Sequence, residues 1–294
     1  MRVLVIVNPI SGRGAAVDAA RRLGLQLLRR GHRVEQRVTR GAGDAERFAR
    51  ESAQSFDRIV IAGGDGTLNE VLNGLPDPLR VPVAHLALGT ANLLARDLHL
   101  PRDPDAVAEL VESDVTRRID LGRIGERRFV GNVGVGFDAL IVREIGRMRR
   151  GVLGYRSYVG PILRSLAEYR PPQLEVRIDG GESRACGWVV VSNLRHYGGL
   201  FKISDRASCD SGRLELCVFE RAKGTDVVRY FVAGMRGRLT RARGVSFHAA
   251  RSVRISGDEV PVQVDGDTWG TTPVELEIQP AAASILVPTD ARAD

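Results

Sequence analysis

The sequence predicts an α/β N-terminal domain, a parallel sheet with crossover helices, followed by a larger second domain that is β-rich and mainly antiparallel. Two observations lead to this fold class. Up to about residue 120, apolar strand-like runs alternate with helical patterns, which is typical of a parallel sheet covered by helices. Beyond that point one strand-like run follows another, and the length of 294 residues suits about two domains.

The first half shows its elements in regular order. An apolar run ending before Asn8-Pro9 predicts the first strand, and Gly31 predicts the end of the helix that follows. The predicted strands cover 2–7, 34–38, 59–62 and 81–88, and the predicted helices cover 15–30, 44–54, 68–75 and 93–98. Ligands of such sheets gather at the carboxyl ends of the strands, where this sequence has glycine-rich turns.

The second half begins with paired strands, and a long helical region is predicted at 138–169. Leu174–Ile178 and Trp188–Ser192 flank Asp179-Gly180-Gly181, which predicts a hairpin of these two strands. Further strands are predicted at 214–219, 253–255, 260–264, 274–278 and 285–287.

The charge balance favours anionic partners. Lys and Arg number 43 against 36 Asp and Glu, which gives a net charge of +7. Phosphates, nucleic acid or an anionic leaflet would all suit this balance, but charge alone favours a solvated arginine-rich surface without such a partner. No nucleic-acid motif is present and aromatic residues are only 5% of the chain, so we expect no nucleic-acid partner.

The cysteines and the apolar runs predict the compartment. Three cysteines without CxxC spacing favour a reducing compartment, so a cytoplasmic protein is expected. No run approaches the roughly 20 apolar residues that span a bilayer, so no transmembrane segment is expected. The five histidines lack ligand spacing, so we expect no zinc site.

Three glycine turns can hold an anion. They are Gly12-Arg13-Gly14, Gly63–Thr67 and Gly89–Asn92, and each lies between a strand and a helix. Such turns present backbone N–H groups and a positive helix end to a phosphate. No GxxxxGK[ST] sequence occurs, so a phosphate would be held by backbone, hydroxyls, Asn and Arg.

Asp65, in the second turn, needs a separate explanation. Thr67 and Glu70 fit a capping box, with Thr67 capping the helix and Glu70 reaching back, which requires no ligand. A carboxylate beside phosphates suggests either a divalent cation between them or a proton acceptor, and both belong to phosphoryl transfer. The alternative is a turn aspartate that bonds its own backbone.

These turns, with three further segments, resemble the diacylglycerol kinase catalytic family, the lipid kinases that include bacterial soluble diacylglycerol kinases and sphingosine kinases. The resemblance is carried by residues 7–12, 63–75 (GGDGTLNEVLNGL), 88–96, 119–122, 132–139 and 264–267. GGDGT alone is shared with NAD kinases, whereas the set in this order is specific. The resemblance implies an NAD-kinase-like first domain, residues 1–122 with a returning segment at 284–294, and a lipid-binding domain at 123–283.

The resemblance also implies the cofactors and their site. ATP and Mg²⁺ are the expected cofactors. The ATP site it implies comprises Asn8, Ser11, Gly12, Gly63, Gly64, Asp65, Gly66, Thr67, Thr90 and Asn92.

Four acidic residues are carried over for catalysis and metal binding. Asp265 is implied as the general base of a D-G-E motif, while Asp267 departs from that motif as Asp for Glu. Asp65 would orient Mg²⁺ and phosphates, or act as the base if the sphingosine kinase assignment holds. A metal site is implied at Asp210, where Ser211 replaces a second acidic residue, and Asp267 is a second candidate metal ligand.

The expected function is therefore an ATP- and Mg²⁺-dependent lipid kinase that phosphorylates a lipid hydroxyl at the membrane surface, most simply that of diacylglycerol. The alternatives are a kinase for a sphingoid base, ceramide, another lipid alcohol or NAD, and a non-catalytic lipid- or nucleotide-binding module. A homodimer is left open by the sequence.

A basic helix is a candidate for transient membrane association. Arginines cluster among apolar residues, at Arg143, Arg147, Arg149, Arg150 and Arg156. Such a helix could rest on an anionic leaflet, and a solvated face over the second domain explains it equally.

Overall fold

The computed structural model describes residues 1–148, 169–199 and 201–289. It divides into two compact units. Unit 1 holds Met1–Leu121 and the described residues from Pro280 onward, and unit 2 holds the described residues between Gly122 and Gln279.

The strands are numbered here in chain order. They are β1 (Arg2–Val7), β2 (Arg33–Val38), β3 (Arg58–Gly63), β4 (Val83–Ala87), β5 (Thr116–Ile124), β6 (Arg127–Phe129), β7 (Asn132–Val135), β8 (Leu174–Ile178), β9 (Ser183–Cys186), β10 (Trp188–Ser192), β11 (His196–Tyr197), β12 (Phe201–Lys202), β13 (Leu214–Phe219), β14 (Val245–Ala250), β15 (Ser252–Gly257), β16 (Pro261–Val264), β17 (Asp267–Thr271) and β18 (Val274–Leu286).

The α-helices of the described residues are α1 (Ala16–Arg29), α2 (Asp44–Ser52), α3 (Asp65–Gly74), α4 (Leu93–Asp97), α5 (Pro104–Glu112), α6 (Phe137–Met148) and α7 (Gly224–Met235). Short 3-10 helices lie at Ser11–Gly14 and Leu239–Arg241.

Unit 1 is built on a parallel sheet in the order β2-β1-β3-β4-β18, which confirms the predicted α/β fold class. Strand β4 is buried along its whole length, and β1 and β3 are buried in all but their first residue, as expected for a parallel sheet with helices on both faces. Helices α1 and α5 pack against one face, where the apolar side chains of β1, β3 and β4 form the core.

Helix α5 was not among the predicted elements. Its start is specified locally, because the Asp103 side chain accepts the amides of Asp105 and Ala106 and Pro104 occupies the first helical position. Arg22 of α1 pairs with Asp105 and Arg30 with Glu112, so α1 and α5 are matched in charge as well as in shape.

Unit 2 contains two larger antiparallel sheets and the two-stranded pair β11–β12, which confirms the predicted β-rich second half. One larger sheet has the order β14-β13-β10-β7-β16-β17. In the other larger sheet, β8 lies between β9 and β15, and β15 pairs on its other side with β18. Apolar residues of both sheets, such as Val133, Val191 and Ile255, form a single core. The other face of the six-stranded sheet carries an aromatic cluster that includes Phe137 of α6 and Tyr230 of α7.

The predicted hairpin has the correct first strand and turn but the wrong second strand. Leu174–Ile178 turns at Asp179-Gly180-Gly181, but it pairs with β9 at Ser183–Cys186. Trp188–Ser192 instead lies in the middle of the six-stranded sheet, paired with β7 and β13. The short strand β9 is mostly exposed and lacks apolar alternation, so the sequence gives no signal for it.

The predicted arginine helix is described only in part. Helix α6 runs from Phe137 to Met148, and Arg143 lies 3.9 Å from Glu144. Arg149, Arg150 and Arg156 lie outside the described residues, so their predicted membrane contact stays a prediction. No helix among the described residues has both the length and the apolarity needed to cross a membrane.

A test of the fold uses the close approach of α2 and α3. A Cβ atom on Gly74 would lie 2.1 Å from the backbone oxygen of Glu46. We expect Gly74→Ala to destabilise the protein by about 1–3 kcal/mol, because the two helices must separate. The midpoint of urea unfolding measures this. Gly41→Ala is the control, since a Cβ atom there meets nothing within 4 Å, and equal midpoints for both variants would contradict the close approach.

Candidate functional site

The turn after β1 is tied to the turn after β3 through Asn8. The Asn8 amide donates to the Ala62 carbonyl at 2.9 Å, and its Nδ2 donates to Thr67 Oγ1 at 3.0 Å. The following 3-10 turn holds Ser11, and Gly12 has a φ of 61°, which favours glycine. A Cβ atom on Gly12 would meet the Leu88 carbonyl at 3.4 Å, so this turn also approaches the end of β4.

The start of α3 differs from the predicted capping box. The helix begins at Asp65, its N-cap residue is Gly64, and no side chain caps it. Thr67 therefore lies inside the helix, where its hydroxyl accepts from Asn8. Glu70 Oε2 accepts the Ala45 amide near the start of α2, at 3.1 Å. The capping box is wrong because the helix starts earlier in the glycine turn than the pattern indicated, which leaves its first amides uncapped by any side chain.

The third turn packs backbone to backbone against the second. A Cβ atom on Gly89 would lie 2.6 Å from the Cα atom of Gly64, so neither position has room for a side chain. Asn92 has a φ of 50°, and its side chain bonds both the amide and the carbonyl of Gly89 at 2.8 Å. Thr90 lies exposed between them. The turns predicted from sequence are thus brought together at one edge of the sheet of unit 1.

Asp65 joins the starts of two helices. Its Oδ1 accepts the Leu93 amide at 2.7 Å, where α4 begins. Burial raises the pKa of Asp65, and hydrogen bonds from the Leu93 and Asn92 amides act in the opposite direction. The carboxylate of Asp65 therefore accepts backbone amides, as expected for a turn aspartate without a ligand. These amides belong to the turn at Asn92 and Leu93 as well as to the turn of Asp65 itself.

His85 is a residue of this site that the sequence analysis missed. It is fully buried on β4, and its Nε2 lies 3.1 Å from the Gly63 carbonyl, to which it donates. Within the described residues its Nδ1 has no hydrogen-bond partner. Burial lowers the pKa of His85 to about 4. The signal in the sequence is a lone polar residue in the buried run VAHLA.

A cavity of about 510 Å³ lies beside the carboxyl end of β2. Its lining residues are Arg37, Val38, Arg40, Asp44, Arg47 and Phe48. Arg37 pairs with Glu35 at 2.7 Å and Arg47 with Asp44 at 2.9 Å. Two of the three arginines that line the cavity are therefore paired with carboxylates.

In unit 2, Asp265 is engaged with the backbone. Its Oδ1 accepts the amides of Gly131 and Asn132 at 2.8 Å, and its Oδ2 accepts the amide of Val130 at 2.9 Å. With a φ of 50° it opens the turn between β16 and β17. Its role as general base stays a prediction, and both of its oxygens are already occupied by backbone N–H donors. Asp267, two residues on, is exposed at the start of β17.

A buried network holds the Asp265 turn. Gln263 Oε1 accepts the Gly266 amide at 2.9 Å, and Gln263 Nε2 donates to Asp138 Oδ2 at 3.2 Å. Asp138 also accepts from Trp188 Nε1 at 2.9 Å and from the Tyr197 hydroxyl at 2.6 Å. Burial raises the pKa of Asp138, and these donors oppose that effect. The turn is therefore fixed from the interior of unit 2.

The predicted metal residues form no cluster. Asp210 is exposed in the turn before β13, and its Oδ1 accepts the Ser208 hydroxyl. Ser211 bonds the backbone of Arg213 instead of standing beside Asp210 as a ligand. Within the described residues, no group of three or more His, Cys, Asp or Glu side chains could hold a metal.

Comparison with known proteins decides the family. Residues 2–124 match the model of the diacylglycerol kinase catalytic domain, and residues 131–287 match that of the YegS C-terminal NAD kinase beta sandwich-like domain. A diacylglycerol kinase of Mycobacterium tuberculosis is 32% identical and aligns over 98% of this chain and 95% of its own length. The chain belongs to the diacylglycerol kinase family.

Other members of the family are similar over nearly the whole chain. A diacylglycerol kinase of Bacillus subtilis is 29% identical, with 94% of this chain and 92% of the relative aligned. A crystal structure of a diacylglycerol kinase from Bacillus anthracis superimposes with a TM-score of 0.76 at 21% identity, over 99% of this chain and 98% of that one. A second structure from that organism gives a TM-score of 0.80 at 24% identity, over 99% of this chain and 98% of that one.

These findings confirm the resemblance and the fold. As a member of the diacylglycerol kinase family, the chain is an enzyme of the lipid kinase class. The roles of its individual site residues stay predictions.

His85 supplies a test of the turn after β3. Because its pKa falls from 6.5 when unfolded to about 4 when folded, the unfolded state binds more protons between these values. Stability is therefore fully present above about pH 6.5 and falls as pH decreases, by about 2 kcal/mol at pH 5. Unfolding midpoints from pH 7 to pH 5 measure this loss.

His85→Gln is the matched variant, since it keeps a donor for Gly63 but does not titrate. We expect its stability to fall less steeply with pH than that of the wild type. Identical slopes for the two proteins would show that His85 is not a buried neutral imidazole.

Proposed function

We propose that the chain transfers the γ-phosphoryl group of ATP to the free hydroxyl of diacylglycerol and so forms phosphatidic acid, with Mg²⁺ as the cation. The observation that carries this proposal is the packing of three glycine turns at one sheet edge, with Gly64 against Gly89 and Asn8 bonded to Thr67. The names of the curated relatives, aligned over most of this chain, support the substrate. The free buried cysteines fit a cytoplasmic enzyme that meets its lipid at the membrane surface.

The site fits a triphosphate. Helix α3 begins at Asp65, so the first-turn amides and the positive end of the helix face the turn edge. A Cβ atom on Gly66 would meet nothing within 4 Å, which leaves open space beside those amides. Asn8, Ser11, Thr90 and the amides of Gly63–Thr67 would bind and orient the phosphates.

The carboxylates fit Mg²⁺ only together with phosphates. Mg²⁺ keeps several waters and binds through one or two carboxylates plus substrate phosphates, so it needs no all-protein cage. Asp65 would offer a carboxylate oxygen beside the phosphates, while Asp210 and Asp267 are candidates in unit 2. When bound, the ion would neutralise charge on the transferring group.

We assign the proton acceptor to the turn between β16 and β17. Asp265 was the expected base, yet its two oxygens accept three backbone amides. Asp267 is exposed in the same turn, so it is the better candidate to accept the proton of the lipid hydroxyl. Asp265 would then hold the turn in place, together with Gln263.

A variant of Gly66 tests the phosphate site. We expect Gly66→Leu to leave the unfolding midpoint unchanged or slightly raised, because the side chain enters open space and replaces a helical glycine. If a triphosphate occupies that space, its affinity should fall by about tenfold or more, since the side chain blocks the close approach of backbone to phosphate. Calorimetric titration with a non-hydrolysable ATP analogue measures this. Unchanged affinity would place the nucleotide elsewhere.

The proposed reaction is tested with labelled ATP, Mg²⁺ and a panel of diacylglycerol, monoacylglycerol, sphingosine, ceramide and NAD. We expect label in phosphatidic acid. Asp267→Asn should lower kcat by about 10²–10⁴-fold with an unchanged unfolding midpoint, because it removes only the proton acceptor. Asp265→Asn should instead lower the stability by about 1–3 kcal/mol, because it leaves backbone amides without a full acceptor.

The panel separates the outcomes. Label in another lipid or in NAD would show that this compound, and not diacylglycerol, is the substrate. Absence of label from every compound would favour a non-catalytic binding module. A fully active Asp267→Asn variant would return the role of the base to Asp265 or Asp65.

A further inference from the structure

Helix α7 exposes a stripe of apolar side chains. Val228 is 48% exposed, Val232 43% and Met235 66%. Their spacing of four and then three residues puts them on one face of the helix. Isolated exposed apolar residues are common, whereas three in register on one helix face mark a contact surface.

The orientation of this helix is fixed by its inner face. Val227 and Tyr230 are buried in the aromatic cluster of unit 2, where the Tyr230 and Phe219 rings lie 4.9 Å apart. Gly234 lies so close to Phe201 that a Cβ atom would come within 2.7 Å of the ring. The helix therefore cannot turn its stripe inward.

The chain around the stripe is predominantly basic, although two carboxylates, Glu220 and Asp226, lie near Tyr230 of the same helix. Residues 221–243 hold seven cations and one carboxylate, Asp226. The seven are all exposed, and they are Arg221, Lys223, Arg229, Arg236, Arg238, Arg241 and Arg243. Asp226 pairs with Arg229 at 3.2 Å, and within the described residues no carboxylate lies in ion-pair distance of the other six.

Another helix with exposed apolar residues differs in this respect. On α1, Leu25 is 48% exposed and Leu28 53%. Two of the four arginines beside them meet carboxylates, Arg22 with Asp105 and Arg30 with Glu112, whereas Arg21 and Arg29 form no ion pair within the described residues. The two helices therefore differ in degree, since carboxylates pair with half of the α1 arginines but with only one of the seven cations around α7.

We propose that the outer face of α7 docks on an anionic lipid bilayer, with Val228, Val232 and Met235 among the acyl chains and the unpaired cations of residues 221–243 on the headgroup phosphates. An interfacial helix of this kind binds through buried apolar area and electrostatic attraction together. A laterally mobile phosphate surface also matches cations that have no fixed protein partner. This proposal rests on the proposed function, because a lipid kinase must reach a substrate that is held in the bilayer.

Vesicle sedimentation of the full-length chain tests the surface. The vesicles are pure phosphatidylcholine, or phosphatidylcholine with about 30% phosphatidylglycerol. We expect the wild type to prefer the anionic vesicles and to lose that preference as the salt rises from about 0.1 M to about 0.5 M. The triple variant Val228→Ser, Val232→Ser, Met235→Ser should bind the anionic vesicles with an affinity lower by about tenfold or more.

Two further variants make the result specific. Changing Arg236, Arg238, Arg241 and Arg243 to Gln should remove most of the salt dependence while the apolar stripe stays. The matched control, Leu25→Ser with Leu28→Ser, removes a similar exposed area from α1 and should bind as the wild type does.

Several results would overturn the proposal. They are wild-type binding by the triple variant, equal weakening by the α1 control, and no vesicle binding by the wild type. Sedimentation velocity without lipid is measured in parallel, and a wild-type dimer that the triple variant dissociates would make a second copy the occupant.

Failure of the docking surface and failure of the proposed reaction are distinguishable. Phosphoryl transfer to short-chain diacylglycerol in detergent micelles needs no bilayer. Transfer in micelles without vesicle binding would reject the surface alone, and vesicle binding without transfer would reject the reaction alone.

Discussion

The contact of two backbones, Gly64 against Gly89, is the constraint on which the candidate site depends. It brings the turn after β3 to the turn after β4 at a distance that no side chain would allow. Hydrogen bonds from Asn8 and from Asn92 then fix the remaining geometry. The result is a surface made of main chain, which presents N–H groups without a flexible cation and holds its shape because the sheet beneath is buried on both faces.

Much of the first half could be predicted because its signals are local. The long apolar runs of β1 and β3 end at glycine or Asn-Pro, so both the strands and their ends are visible in the sequence. The start of α3 was placed too late, because glycines are poor helix formers and tertiary contacts override that propensity. Helix α5 has a local signal in Asp103-Pro104, a capping side chain followed by proline at the first helical position.

The site was predictable as a set of residues but not as a set of roles. An Asp-Gly pair indicates a turn, yet nothing near Asp265 in sequence shows that the amides of residues 130–132 converge on its carboxylate. The buried network of Asp138 and Gln263 depends in the same way on residues far apart in the chain. Roles of this kind follow from which donors meet which acceptors, and only the folded structure supplies that.

Strand β18 has a consequence for how the protein is made. Its last residues lie in unit 1, where Ile285 pairs with Val83 of β4 and Leu286 enters the core beside α1 and α5. A nascent chain that has emerged only as far as residue 121 lacks this strand, and the edge of β4 is left uncovered. Unit 1 is therefore the first to leave the ribosome and the last to be completed. It stays partly open, and accessible to chaperones, until all of unit 2 has been synthesised.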